Sequence, residues 1–242
     1  VWDKDKVVMI IDHCAPPSNL LHAGFVAENI KFAEDYGISH FYNMQGVCHQ
    51  ILPEEGFVKP GMAIVGTDSH TTTYGALGAF STGIGATEMV WVFAKGRLWL
   101  RVPETVHVEI TGQLGAMVMA KDVMLKILSV IRTNGATYKA LEYGGEAVRH
   151  MSMDGRLTLC NMAVEAGAKN GIIEVDEVTR SFLDGRVKGD IEDMVSDQDA
   201  NYNRIVQIDV SRLVPQVACP HSPDNVVSVA EVAGKKVDQI LI

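Results

Sequence analysis

Strand-like and helix-like stretches alternate through the first hundred residues, and this alternation constrains the chain more than any other feature. "KVVMII" is a short β-branched run, and "SNLLHAGFVAENIKFAEDYG" follows with helical spacing, Ser18 as its cap and Gly37 as its stop. "ISHFYN" and "MAIVG" are the next strands, the latter introduced by Pro60-Gly61, and a helix from about Ala86 to Lys95 comes after them. Strands separated by helices imply parallel βαβ units, so the expected class is α/β, with parallel or mixed sheets flanked by helices.

Pro103 interrupts this series and a second one begins. "ETVHVEITGQL" alternates Val106, Val108 and Ile110, as a half-buried strand does. A helix ("AKDVMLKILSVIRT"), a strand ("TYKALEYGG"), a helix ("GRLTLCNMAVEAGA") and a strand ("GIIEV") are expected next. The acidic stretch "DGRVKGDIEDMVSDQDAN" reads as an exposed helix and loop. "VPQVACPHSPDN" is Pro-rich and reads as a linker to a third unit near Val226. The expected organisation is a first domain over 1–103, a second over 104–215, and a linker with the start of a third over 216–242. The chain opens on Val1 and closes on "KKVDQILI", an apolar run resembling a buried strand, so a fragment of a longer protein is expected.

Composition excludes several classes. A net charge of -9 and a pI near 5.3 argue against nucleic acid or an anionic membrane as partner. With 47% hydrophobic residues and a mean hydropathy of +0.10, the chain is not a disordered polymer. It has no uncharged apolar run of about 18 residues and no signal segment, and a cytoplasmic location is expected. The four cysteines, Cys14, Cys48, Cys160 and Cys219, form no C-x-x-C pair and read as reduced thiols.

Chemistry gathers where strands end. "VVMII" runs into Asp12-His13, "HFYN" leads through "MQGVC" to His49, and "MAIVG" leads into Asp68-Ser69-His70. Parallel strands deliver their carboxyl ends to one edge of a sheet, so these groups are expected to share a crevice. Each taken alone could equally cap a turn or helix. Asn161 and Glu165, four apart, would share a helix face, and the apolar "LTLCNMAVEAGA" around them suggests a buried helix. A buried Glu165 facing an imidazole is the expectation there. Gly75, Gly78, Gly83 and Gly85 do not spell G-x-G-x-x-G, because Glu88 stands where the third glycine belongs. They are read as a tight turn that lets a helix N-terminus approach a small anion. Cys14, Cys48 and Cys160 each adjoin one of these motifs. They could hold zinc or an iron–sulfur cluster, or be small apolar fillers, and neighbouring side chains that point apart favour fillers.

Together, "GTDSHTTTYGALGAFSTGIGATEM", "IIDH", "GVCHQ" and "CNMAVEAGA" resemble the large subunits of the isopropylmalate dehydratases, in the aconitase superfamily. The resemblance runs in order along essentially the whole chain. It implies an aconitase-like fold and a hydro-lyase that interconverts 2- and 3-isopropylmalate in leucine biosynthesis, through the unsaturated acid. It implies a 4Fe–4S cluster in the complete enzyme, with cysteine ligands from G-S-C-T-N and C-x-x-C motifs that this sequence lacks. No metal ligand is therefore expected among residues 1–242, and Cys14, Cys48 and Cys160 are not ligands on this reading. By the same resemblance, Asp12-His13 is an acid–imidazole pair that protonates the departing hydroxyl. His49 and Asp68 hold the water or hydroxyl at the cluster, and His70 pairs with Glu165. Ser69 contacts a substrate carboxylate, and Asn161 contacts the water at the open iron. The general base, a serine, belongs to a separate small subunit, which is the implied partner alongside a 2-hydroxy dicarboxylate substrate. A homoaconitase large subunit is the near alternative. From other classes come a mononuclear metal hydrolase using His13, His49, Asp68 and His70, and a scaffold that docks a partner.

Overall fold

The computed structural model describes residues 1–241. They divide into two compact units, one of Val1–Phe57 with Ile84–Arg101, the other of Val58–Gly83 with the chain from Val102 onward. The excursion 58–83 thus groups with the later residues.

In the first unit, β1 (Val8–Ile11) is followed by α1 (Leu20–Tyr36) and β2 (His40–Asn43). The strands pair in parallel with Val8 opposite His40, and α1 makes the crossover between them. Asn19, rather than Ser18, caps α1 by accepting the His22 N–H at 2.9 Å, while the Ser18 hydroxyl lies 3.0 Å from His22 Nδ1. Gly37 ends the helix in the left-handed region at φ 61°. The short α2 (Cys48–Glu54) and the later α3 (Ala86–Lys95) complete this unit, with Phe93 of α3 stacked on Phe32 of α1. The Gly85 N–H donates to the Glu88 carboxylate at 2.7 Å, so α3 closes its own N-terminus. That internal carboxylate replaces the small anion expected there.

The second unit opens with β3 (Ala63–Gly66), a 3₁₀ segment Ser69–Leu77 that is buried from Thr71 onward, and β4 (Phe80–Gly83), which pairs in parallel with β3. There follow β5 (Thr105–Thr111), α4 (Ala120–Ile131), β6 (Ala140–Gly144), α5 (Glu146–Arg149) and α6 (Met153–Asn161). Then come β7 (Asn170–Ile173), α7 (Glu177–Leu183) and β8 (Arg204–Asp209). These make a four-stranded parallel sheet in the order β7-β6-β5-β8. The strand ends expected along one sheet edge therefore belong to separate parallel pairs, β1–β2 and β3–β4. Short strands cannot extend a ladder past the point where their partners stop.

Val106, Val108 and Ile110 bury one face of β5, and Val123, Met124, Ile127 and Leu128 of α4 are buried with them in this unit. On the opposite face His107 sits between two carboxylates, Glu142 at 2.9 Å and Glu109 at 3.1 Å. Ser196 and Tyr202 also donate to Glu142, at 2.8 and 2.7 Å, and so tie the acidic loop to the sheet. That stretch holds no helix between residues 184 and 200, contrary to expectation. Its polar groups bond elsewhere: Ser196 N–H to Glu174 at 2.9 Å, and the Ile191 carbonyl to Arg180 at 3.2 Å. Fully buried Arg156 grips Asp176 through two bonds of 2.6 Å, and Asp176 in turn caps α7.

Later segments depart from the sequence reading in other ways. β9 (Gln216–Ala218), inside the stretch read as a linker, and β10 (Val226–Ser228), where a third unit was expected to begin, form an antiparallel pair. The Gln216 N–H bonds Asp122 of α4 at 2.7 Å. Residues 235–241 of "KKVDQILI" are irregular and Leu241 is exposed, not a buried strand, since they pair with no strand among the described residues. Ile242 lies outside them. No described helix is long and apolar enough to cross a membrane.

One backbone contact fixes the second unit. A Cβ at Gly75 would lie 1.7 Å from the Gly171 carbonyl oxygen of β7, and one at Gly171 would lie 2.8 Å from the Ala163 Cβ. Neither backbone can yield without moving a strand. Gly75→Ala is expected to cost at least about 3 kcal/mol in urea unfolding. Gly24→Ala, inside α1 with nothing within 4 Å of the new methyl, is expected to stabilise by up to about 1 kcal/mol. A Gly75→Ala variant as stable as the parent would show that the contact is not required.

Candidate functional site

Asp12 leaves the end of β1 with its side chain 9% exposed, while the adjacent His13 ring is 71% exposed. Each carboxylate oxygen has a separate task. Oδ1 lies 2.8 Å from His13 Nδ1, and Oδ2 accepts the Cys48 N–H at 2.7 Å. The second bond joins β1 to the first turn of α2, where an amide otherwise lacks a helical partner. Burial works to raise the Asp12 pKa. The Cys48 N–H, the His13 ring and the Cys48 thiol outweigh it and hold the carboxyl below its ordinary value. An ionised carboxylate accepts and cannot donate, so His13 Nδ1 carries a hydrogen and the neutral ring has its lone pair at Nε2. His49 is the next residue of α2, with Nδ1 3.7 Å from the Cys48 sulfur.

The second group is built on the turn between β3 and β4. Asp68 accepts the His70 N–H at 2.7 Å and so starts the 3₁₀ segment. The Thr71 hydroxyl returns to the Asp68 carbonyl at 2.7 Å. Gly83 makes room for this turn, since a Cβ there would lie 2.7 Å from the Asp68 carbonyl oxygen. His70 Nδ1 lies 3.1 Å from Ser69 Oγ, and Nε2 lies 3.4 Å from Glu165 Oε1. With Glu165 as the acceptor at Nε2, the neutral ring accepts the Ser69 hydroxyl at Nδ1.

Asn161 joins this group, though not through the expected helix face. α6 ends at Asn161 and tightens into a 3₁₀ turn over Met162–Ala166, which re-aims Glu165 relative to a continuous helix. Glu165 is 37% exposed rather than buried, because that turn lifts it to the surface beside the 34% exposed His70. The pairing of His70 with Glu165 is present; the burial is not. Sequence reading passed over the hydroxyls of Thr72 and Thr73, which bond the Asn161 carbonyl at 3.1 Å and its Nδ2 at 2.9 Å. A run of threonines directly after an acid–hydroxyl–imidazole triplet was the available signal.

The cysteines do not form a ligand set. Cys160 is buried against Gly171 and burial pushes its thiol pKa up, with Arg156 opposing weakly, so it persists as a thiol and fills space. Cys14 is exposed, with φ 53°, and is not the buried filler expected there. Among the described residues no group of three or more His, Cys, Asp or Glu side chains is placed to hold a metal ion. His70 also has both ring nitrogens facing protein groups, which disfavours the ligand role that a mononuclear hydrolase would give it.

The Asp12 network makes a pH-dependent prediction. Its carboxyl is more acidic folded than unfolded, so it stabilises the protein above the unfolded value near 4, and the contribution fades as pH falls through the lower folded value. Asp12→Asn is expected to cost about 1–2 kcal/mol at neutral pH. The gap to the parent should narrow as pH falls below the unfolded value and through the lower folded one. Urea unfolding of both proteins across this range checks it, and a gap that widened in acid would be the wrong sign.

Comparison with known proteins gives these motifs a family. Residues 22–240 match the model of the aconitase family (aconitate hydratase). The whole chain is 53% identical to the 3-isopropylmalate dehydratase large subunit 1 of Methanopyrus kandleri, covering 58% of that protein. It is 47% identical to the probable methanogen homoaconitase large subunit of Methanothermobacter thermautotrophicus, covering 57%. Against the 3-isopropylmalate dehydratase large subunit of Moorella thermoacetica it is 44% identical and covers 58%. The chain therefore spans less than two thirds of these relatives' length. It belongs to the aconitase family.

Proposed function

We propose that this chain is the part of a hydro-lyase large subunit that supplies the acid–imidazole groups for interconverting 2- and 3-isopropylmalate through loss and re-addition of water. The observation that carries the reading is the Asp12–His13 pair within a chain 53% identical, over its full length, to a large subunit of that name. A separate small subunit is the proposed partner. The family's 4Fe–4S cluster finds no ligand set among the described residues.

Dehydration must remove a weakly acidic C–H beside a carboxylate and expel a poor leaving group, hydroxide. A proton delivered to that oxygen makes it leave as water. His13 is suited to this: Asp12 takes Nδ1–H, fixing a ring whose side chain is 71% exposed, and Nε2 can carry the transferable proton. Asp68 positions the backbone that presents Ser69 and His70. By turning away from His70 Nδ1, the exposed Ser69 hydroxyl can give its one hydrogen to a substrate carboxylate, with Asn161 as a polar contact for the substrate's hydroxyl. His49 completes the polar groups assigned to this reaction. Glu165 holds His70 from its far nitrogen. A homoaconitate substrate is the second reading, favoured by relatives named as homoaconitases at 47% and 46% identity.

The test uses the assembled enzyme containing these residues with a small subunit, assayed by absorbance of the conjugated unsaturated acid. Turnover of 3-isopropylmalate above that of homoaconitate supports the first reading, and the reverse order supports the second. His13→Ala is expected to lower kcat by about a hundredfold or more with a smaller change in KM. Near-normal turnover across the pH profile would remove His13 from the mechanism. Glu165→Gln should lower turnover with circular dichroism unchanged. The 242-residue chain alone is expected to bind no stoichiometric iron and to show no hydro-lyase activity. A stable cluster on it would reassign Cys14, Cys48 and Cys160 as ligands.

A further inference from the structure

Thr73 is buried, and its hydroxyl has two partners in the second unit: the His70 carbonyl at 2.6 Å and Asn161 Nδ2 at 2.9 Å. A hydroxyl has one hydrogen. At 2.6 Å from a carbonyl oxygen that hydrogen must lie between the two oxygens, since two sets of lone pairs do not approach so closely without one. The Thr73 oxygen can then face Asn161 only as an acceptor. It therefore selects the NH₂ end of the carboxamide, and Oδ1 is left as the end available to a ligand. Thr72 holds the same residue from behind, donating to the Asn161 main-chain carbonyl at 3.1 Å, at the helix end where carbonyls lack helical partners.

We propose that Thr73 is a positioning residue that locks the Asn161 carboxamide with its oxygen presented as an acceptor, so that the site takes a substrate through a hydroxyl or water hydrogen rather than through a lone pair. This rests on the reading above that Asn161 meets the substrate. It adds a polarity requirement: the group facing Asn161 must donate. A 2-hydroxy acid meets that requirement and a 2-keto or 2-methoxy analogue does not.

Thr73→Val keeps the shape and removes both bonds, while Thr73→Ser keeps both. In the 242-residue chain, labelled at asparagine nitrogen, the Asn161 NH₂ should be protected from solvent exchange in the parent and in Thr73→Ser. It should exchange at least about tenfold faster in Thr73→Val. In the assembled enzyme, Thr73→Val should raise KM for the 2-hydroxy acid at least about tenfold, and Thr73→Ser should restore it within about threefold. In an Asn161→Ala background Thr73→Val should change KM no further. If Thr73→Val lowers the melting temperature but leaves amide exchange and KM unchanged, Thr73 is a packing residue and the proposal falls. Should that variant not fold, an unprotected Asn161 NH₂ in the parent overturns the proposal and a protected one supports it. The exchange measurement needs no turnover, so an assembled enzyme inactive on both substrates would sink the proposed reaction without touching this result.

Discussion

The close approach of two main chains at Gly75 and Gly171 is the constraint on which the second unit depends. It seats the 3₁₀ segment Ser69–Leu77 directly on β7, and Gly171 meanwhile lets β7 run against Cys160 at the end of α6 and Ala163 in the 3₁₀ turn after it. Three elements from distant parts of the sequence are thereby held at backbone distance, which side chains of ordinary size would prevent. The segment is buried from Thr71 through Leu77, so its polar groups must find partners inside. Thr71, Thr72 and Thr73 do so with main-chain carbonyls, and Asn170 supplies an acceptor to the Ser81 N–H at 3.2 Å. Residues that bear chemistry at one end of this segment inherit their rigidity from the glycines in its middle.

Asp12 and Asp68 solve a shared problem in related ways. Each follows a short parallel strand, and each spends a carboxylate oxygen on a main-chain N–H at the start of a helical segment, α2 for Asp12 and the adjoining 3₁₀ segment for Asp68. Capping would be the whole account of either residue alone. The difference lies in the other oxygen atoms and the rings beside them. Asp12 gives its second oxygen to the His13 ring at 2.8 Å, whereas Asp68 stands 3.8 Å from the His70 ring, which turns instead to Ser69 and Glu165. Structural capping and functional orientation are thus one arrangement at Asp12 and two at Asp68.

Most of the βαβ framework was legible because it rests on local signals. Hydrophobic runs, the stop at Gly37 and the alternation in β5 depend on residues within one turn or one strand of each other. What escaped depends on contacts far apart in sequence. β4 and β8 read poorly: "FSTG" lacks an apolar pattern, and "RIVQID" is recognisable only beside β5, which pairs with it in parallel. The acidic loop resembles a helix in composition, yet Glu142, Glu174 and Arg180 claim its polar groups. Among the site residues, identities at the strand ends could be read directly, as could the Asn161–Glu165 spacing. The 3₁₀ turn that separates those two residues arises from packing against β7, which no local pattern announces.

Proton bookkeeping is the last link between these groups and chemistry. Asp12, held ionised, compels His13 to donate from Nδ1. The His70 carbonyl, acting through the single hydrogen of Thr73, compels Asn161 to present oxygen. In each case an acceptor that cannot change its character determines what its neighbour offers to a ligand. The first fixes the tautomer of an exposed imidazole side chain, and the second presents an acceptor suited to a hydroxyl. In the proposed reaction each arrangement suits a hydroxy acid in its own way: the first a leaving oxygen that must gain a proton, the second a hydroxyl that gives its hydrogen to an acceptor.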